Sequence, residues 1–520
     1  MKRFIYILLL AVPGCVCAQN MYDVTPLVEN SLSGTSRFIS MGGSMGALGG
    51  DVSVMGTNPA GIALYRNNDA SITGFLDMRN SKAAYNGTDT DSDKASAGIM
   101  NLSAVITGKL NNASALKYVN IGFGYRKSTN LANNFEMRGS PVAYSQQYGK
   151  DLVYSQQYAM RYLYDLRPFN INEESPSYRH FDALQFSWIP LMAAYSNLGD
   201  ADGNFITKPD GSLVFTPDYV HFISEERGGV DEFDINFSAN VDDRFYFGAT
   251  MSVANVEYDY YSRYSESDAD GEIYSLCTSN YFEATGVSLK LGAIVRPFKY
   301  SPFKLGVAVH TPTWYRFKSS SYSEMTGPYG DYYDTRYSEM YAQDFRTKFN
   351  LSTPWKVIAS ASYTFGSVMA LNAEYEYMDY ASTRFGSFKI GADGAQNDEV
   401  KYNLHAQHTM RAGAEFNVGG GISLRAGYCY STAPFKTTAF KSMENMSVVS
   451  TATEFNNKYD KELITFGAGY RGKLWYFDMA YVWKTQKSDF YSYCDPDDYN
   501  PAAKVSYSDH TITATLGVRF

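Results

Sequence analysis

The chain ends in HTITATLGVRF, from His510 to Phe520. Ile512, Ala514, Leu516, Val518 and Phe520 fall on one side of a two-residue period. Thr511, Thr513, Thr515, Gly517 and Arg519 fall on the other. A half-buried strand of a soluble sandwich reads the same way, so the neighbouring stretches decide. In LWYFDMAYVW, Trp475, Phe477, Met479, Tyr481 and Trp483 oppose Tyr476, Asp478 and Ala480. The same alternation runs through 409–418 and 421–430, and through 119–125, 233–241, 245–253, 287–295, 303–309, 357–365 and 369–377. Weaker versions occur at 70–76, 100–106 and 464–470.

Together these stretches predict fourteen strands. Pairs 4–5, 8–9, 10–11 and 12–13 are joined by tight turns at Asp242-Asp243, Gly366, Gly419-Gly420 and Gly472. The other connections are long and rich in Tyr, Ser and Asp. An even strand count, short turns on one rim and long loops on the other is the layout of an outer-membrane barrel. Ten residues at ~3.3 Å rise and ~45° tilt span about 23 Å. The apolar faces carry hardly a charge, whereas the opposite faces mix Gly, Ser, Thr and charges of both signs. A charge at mid-bilayer on a barrel's lipid face costs about 2–4 kcal/mol, which keeps that face clean. The expected fold is therefore all-β: a 14-stranded antiparallel transmembrane barrel, with Ile512 to Phe520 as its closing strand.

The beginning of the chain agrees with export. MKRFIYILLLAVPGCVCAQN reads as a signal peptide over residues 1–18, with cleavage after Ala18; lipoprotein processing at Cys15 is the rival reading. No later apolar run reaches 18 residues, so no helical span is expected. A net charge of −9 without a basic tract argues against nucleic acid. The 45 Tyr and 32 Phe suit a bilayer interface. Cys277, Cys429 and Cys494 remain beyond the signal, without a CxxC pair. Cys277 and Cys494 fall in segments read as loops on one side, where a bridge between them stays open.

Residues 19–68 have another texture. GTSRFISMGGSMGALGGDVSVMGTNPAGIALYRNND is dense in glycine and lacks the two-residue period. A fourteen-stranded lumen would leak unless filled, so this segment is expected to be a hatch, with residues 69–520 as the barrel. The run Gly46-Ala47-Leu48-Gly49-Gly50-Asp51, followed by Asn58-Pro59-Ala60-Gly61, resembles the hatch of the FadL/TodX family of outer-membrane channels for long-chain fatty acids and other hydrophobic compounds. The resemblance implies passive transport: capture at an extracellular groove, hatch movement, and lateral release into the membrane. It also implies the hatch motif Asn58, Pro59, Ala60 and Gly61, and a terminal aromatic read by the barrel assembly machinery. The large loop at about 128–230 departs from the family.

That loop contains FDALQFSWIPLMAAYSNLG, in which Leu184, Phe186, Trp188, Ile189, Leu191 and Met192 form an apolar cluster. It either packs within its own loop or captures a hydrophobic ligand. Lumen-facing charges include Lys290, Arg296, Lys304, Lys356 and Arg519, with Asp234, Glu374, Glu376, Glu415 and Asp478. Most should be interior ion pairs. Arg411 and Arg425, facing inward on adjacent strands, are the candidates for a carboxylate head group. His405 and His408 fall on opposite strand faces, and Asp89, Asp91 and Asp93 lack the Gly and Glu of a calcium loop and read as a solvated loop. Neither suggests a metal, and no cofactor or catalytic set is visible. The expected partners are a hydrophobic small molecule, outer-membrane lipid and lipopolysaccharide, and the assembly machinery. Rival functions are a barrel that handles protein cargo for a secretion apparatus, and a haem receptor using Tyr-rich loops or His310.

Overall fold

The computed structural model describes residues 21–29, 31–110, 114–141, 143–145, 151–153, 217–269, 271–327, 330–332, 347–387, 394–441, 452–493 and 501–520. Fourteen wall strands follow one another: β1 (Asp69–Tyr85), β2 (Thr88–Lys109), β3 (Leu116–Asn130, continued by Asn133–Gly139), β4 (Tyr219–Val241), β5 (Phe245–Asp268), β6 (Gly271–Val295) and β7 (Lys304–His310, continued by Trp314–Gly327). Then come β8 (Thr347–Ser352 and Lys356–Phe365), β9 (Met369–Asp379 and Arg384–Ser387), β10 (Ala406–Gly419), β11 (Ile422–Ser431), β12 (Phe455–Arg471), β13 (Trp475–Tyr491) and β14 (Ala503–Arg519). All pairing in the wall is antiparallel. β1 pairs with β14 from Asp69↔Arg519 to Ala84↔Lys504, which closes the cylinder and leaves no edge along this junction. All fourteen expected strands are present.

The two faces of the closing strand sort as the period requires. Ile512, Leu516 and Val518 are exposed to the outside, while Thr513 and Thr515 are buried inside. The outward apolar set recurs on every wall strand, for instance at Phe237, Phe247, Leu291, Val307, Met410 and Leu424. No helix among the described residues is long and apolar enough to cross a membrane; the crossing is made by strands. A closed antiparallel cylinder with an apolar outer band is an outer-membrane barrel.

Turn chemistry sets the hairpins. Asp242 and Asp243 have φ of 55° and 51°, the left-handed pair that joins β4 to β5 without splaying them. On the opposite rim, Asn86 and Gly87 do the same for β1 and β2, at φ 41° and 81°. This corrects the sequence reading, which placed long loops between β1 and β2 and between β5 and β6. Both pairs instead continue as long hairpins above the membrane. Outside the bilayer a strand can be polar on its outer face, so the loss of apolar residues there does not end pairing. Asp89, Asp91 and Asp93 accordingly lie in β2, not in a loop, and Cys277 lies in β6.

The segment before β1 fills the lumen. It comprises α1 (Met21–Val28), α2 (Ser36–Ser40) and two 3-10 turns, Val52–Gly56 and Pro59–Leu64. Phe38, Met41, Met45, Val52, Val54 and Ile62 form its own small core. The plug is thus a folded unit and not a stuffed coil.

Candidate functional site

The Asn-Pro-Ala stretch is where the plug meets the wall. Asn58 is fully buried; its Oδ1 accepts the Ala60 N–H at 3.2 Å and so caps the second 3-10 turn. Its Nδ2 donates to the Gly46 carbonyl at 2.8 Å and reaches the Ala293 carbonyl of β6 at 3.4 Å. Pro59 starts the turn, where a missing N–H costs nothing. This close approach needs Gly292 in β6: a Cβ there would stand 2.9 Å from Pro59 Cδ. Across the lumen, Gly427 of β11 similarly admits Met41 and Gly42 against the wall backbone.

Charges then pin the plug. Glu415 joins Arg37 of α2 (2.8 Å) to Arg425 (2.6 Å), whose other nitrogen meets Asp478 at 2.6 Å. Glu374 accepts from the Gly46 N–H at 2.9 Å and, with Glu376, from Arg411 at 3.0 Å each. Lys304 donates to the Leu48 carbonyl at 2.7 Å, and His310 Nε2 to the Thr57 carbonyl at 2.6 Å. Arg411 and Arg425 do face the lumen on adjacent strands, each held between two carboxylates. Glu29, just after α1, pairs with Lys461 of β12. Burial pushes the Glu29 carboxyl up, but Lys461, Lys458 and Lys484 outweigh it and hold it below the ordinary carboxylate range.

Above and beside the plug the lumen keeps open space. An upper cavity of ≈ 180 Å³ lies over α1 and is lined by Tyr22, Phe135, Phe282, Phe435 and Phe490 among others. A side cavity of ≈ 80 Å³ shares Arg79, Lys484 and Asp509 with it. Its floor is apolar, with Leu32, Ile39, Phe75, Met100, Leu463 and Val482, an unusual surface for the inside of a barrel. A third cavity of ≈ 120 Å³ is polar and includes Lys290, Lys356, Glu376 and Arg411 in its lining.

The side cavity abuts a break in the wall. β2 and β3 pair from Lys109↔Tyr118 to Asn101↔Arg126, and there the ladder ends. Beyond it, β2 pairs with β1 and β3 pairs with β4, but not with each other. Bulges mark the parting. Met100 is the extra residue where the β1–β2 register slips, and Ser128 is the extra one where β3 slips against β4. A bulge bends its strand and ends pairing. Bonds donated by side chains replace the ladder across the seam: Asn130 Nδ2 donates to Ser96 Oγ at 2.8 Å, Lys94 Nζ to Asn134 Oδ1 at 2.9 Å, and Asn134 Nδ2 to the Asp93 carbonyl at 3.3 Å. Ala97 pairs with Leu76 and Ala95 with Met78, both outward and apolar, so the lower seam lies within the apolar band.

The expected capture residues Leu184, Phe186, Trp188, Ile189, Leu191 and Met192 lie outside the described residues, as do residues 1–18, most of loop 128–230, and Cys494. His408 turns outward to Tyr375, 2.7 Å away, whereas His405 bonds its neighbour's carbonyl. Cys277 receives a bond from Tyr261 at 3.6 Å. Sequence reasoning missed the seam, the Glu29–Lys461 pair and Arg79. The one local signal was Gly98-Ile99-Met100, where the alternation of β2 slips.

No protein-family model matches the chain, and no curated protein is similar to it at a significant level. Solved structures are similar in fold. The FadL homologue of Pseudomonas aeruginosa aligns over 94% of this chain and 99% of that one, at 11% identity and a TM-score of 0.51. A TodX monoaromatic hydrocarbon channel carrying the deltaS2 mutation aligns over 94% and 100%, at 12% identity and 0.50. The Pseudomonas putida toluene transporter TodX covers 95% and 100%, at 11% and 0.47. A plugged fourteen-stranded wall that closes on itself is thus common to this chain and the FadL homologue: the fold is that of the FadL/TodX channels.

Proposed function

We propose that this barrel carries hydrophobic small molecules, fatty-acid-like or hydrocarbon, across the outer membrane and releases them sideways through the β2–β3 seam. The observation that carries the reading is the juxtaposition of an unpaired wall, within the apolar band, and an apolar patch on the lumen side of it. An apolar solute gains nothing by entering periplasmic water when lipid lies beside it. The folds it shares belong to a FadL homologue and to a monoaromatic hydrocarbon channel, which supports the substrate class. In this reading Leu184, Phe186, Trp188, Ile189, Leu191 and Met192 capture ligand, the aromatic upper cavity receives it, and movement near α1 opens the way past Arg79 to the side cavity. Arg411, which borders open volume, and Arg425 are the head-group candidates; either must exchange a carboxylate partner to bind one. Transport is passive and involves no catalysis. The partners are the ligand, the surrounding lipid and lipopolysaccharide, and the assembly machinery that reads Phe520.

The test is to tie the seam shut. Ser96 and Asn130 meet across it, so S96C/N130C sets two thiols at facing positions for a cross-link. Oxidised, the variant should lose uptake of a fluorescent fatty acid and regain it on reduction, with each single variant unaffected. Full uptake through a verified cross-link would remove the seam as the exit. Separately, W188D/L191D should lower uptake while the barrel still folds.

A further inference from the structure

The outer face of β7–β9 carries a group of cations at one height. Trp314 (β7) and Trp355, just before the second part of β8, are both exposed at the upper edge of the apolar band. Pairing sets the rows above them. Val287, Trp314, Ser352 and Arg384 share the first row; Thr285, Arg316, Asn350 and Gly386 the second; Glu283, Lys318 and Lys348 the third. Arg316, Lys318, Lys348 and Arg384 all point outward and are exposed. Arg384 therefore sits level with Trp314, and Arg316, Lys318 and Lys348 sit two to four residues beyond it, toward the long-loop rim, where lipid head groups begin.

Two features set this patch apart from a solvated face. Lys318 and Lys348 are directly opposite each other in the β7–β8 ladder, a like-charge pairing that Glu283 offsets from the Lys318 side alone and that an anion between the two would relieve. Glu283 reaches Lys318 at 3.3 Å and faces Glu257 across the β5–β6 ladder, whereas Arg384 donates only to the Ala381 and Thr383 carbonyls, so the positive excess lies on the β8–β9 side, at Lys348 and Arg384. On β2 the outward residues beyond the apolar Ala95–Met78 row are Asp93, Asp91 and Asp89, so the basic face is not a ring around the barrel. Below it, Trp314, Trp355 and Val287 offer an apolar surface on which acyl chains can lie.

We infer that the Arg316/Lys318/Lys348/Arg384 face is a binding site for a phosphorylated lipid of the outer leaflet, with a phosphate seated between Lys318 and Lys348 and acyl chains packed over Trp314. The chemistry is charge-assisted hydrogen bonding of ammonium and guanidinium groups to phosphate oxygens at the membrane surface. The site lies on the lipid side of the wall and does not depend on transport.

The test uses the full-length protein in detergent, titrated with bisphosphorylated lipid A and read by native mass spectrometry. The wild type should retain lipid A, and K318Q/K348Q should weaken retention by at least about tenfold, since each cation near an anionic surface contributes. The single variant K348Q should fall between them. K82Q, which alters an outward lysine on β1, should retain lipid as the wild type does. Because these side chains point outward, heat-modifiable migration should stay unchanged in every variant. Equal retention by the wild type and K318Q/K348Q would overturn the site. Displacement of lipid A by millimolar inorganic phosphate would overturn the lipid as the ligand, since the apolar surface would then contribute nothing.

Discussion

Asn58 joins three pieces of backbone: the turn it caps, the Gly46 carbonyl and the β6 wall. Replacing it with Ala removes a cap and strands a buried carbonyl, together about 2–4 kcal/mol of local stability. Hydrogen exchange should then rise across the Ser44–Leu64 region while the strands stay protected; unchanged exchange would mean that Asn58 does not hold the plug. Glu415 is more consequential. E415A leaves Arg37 and Arg425 buried around a missing charge, at a cost of about 3–5 kcal/mol. Protease should reach the plug in that variant before it reaches the wall. At this scale the sequence was half legible. Period-two reading put Arg411, Arg425, Glu374, Glu415 and Asp478 on the inner face. It could not say which carboxylate met which guanidinium, because alternation gives the face and not the register.

Among elements, α1 depends most on conditions. Its end is held by Glu29 against Lys461, with the Glu29 carboxyl held low. A carboxyl whose folded-state pKa is depressed contributes stability above its unfolded value, ~4.3, and that contribution disappears as pH falls through the folded value. The α1 segment should therefore stay protected at neutral pH and loosen in acid. E29Q should flatten that dependence, as exchange or cleavage at residues 21–33 would report. An identical acid profile in E29Q would assign the pH response elsewhere. Strand cores were readable from their alternation, but strand ends were not. Above the membrane nothing forces the outer face of β2 or β5 to be apolar, so the signal stops before the hairpin does. The seam was hidden for a related reason: the slip at Gly98-Ile99-Met100 marks an irregularity in β2, but neither strand alone tells which pairing is lost there.

Over the whole molecule the lipid wrote the clearest message, because every crossing had to keep one face clean, from Ile72 in β1 to Leu516 in β14. The closing pair is the most exacting part of that design. Removing residues 511–520 would take away the pairing from Asp69 to Asp77 of β1 and leave two open edges in the bilayer. Such a chain should lack heat-modifiable migration and appear in aggregates; normal migration would mean that the wall can close on β13. The intact ring has a further consequence. Asn68 and Phe520 exchange backbone hydrogen bonds, and Ser36 of the plug already bonds Thr515 of the last strand. Some 450 residues must be synthesised between the two halves of that junction, so the edge of β1 that faces β14 has no partner until the last strand is made. The stopper precedes β1 in the chain and is notched into glycines of both flanks, so the hoop must be drawn shut around it, like staves around a bung already in place.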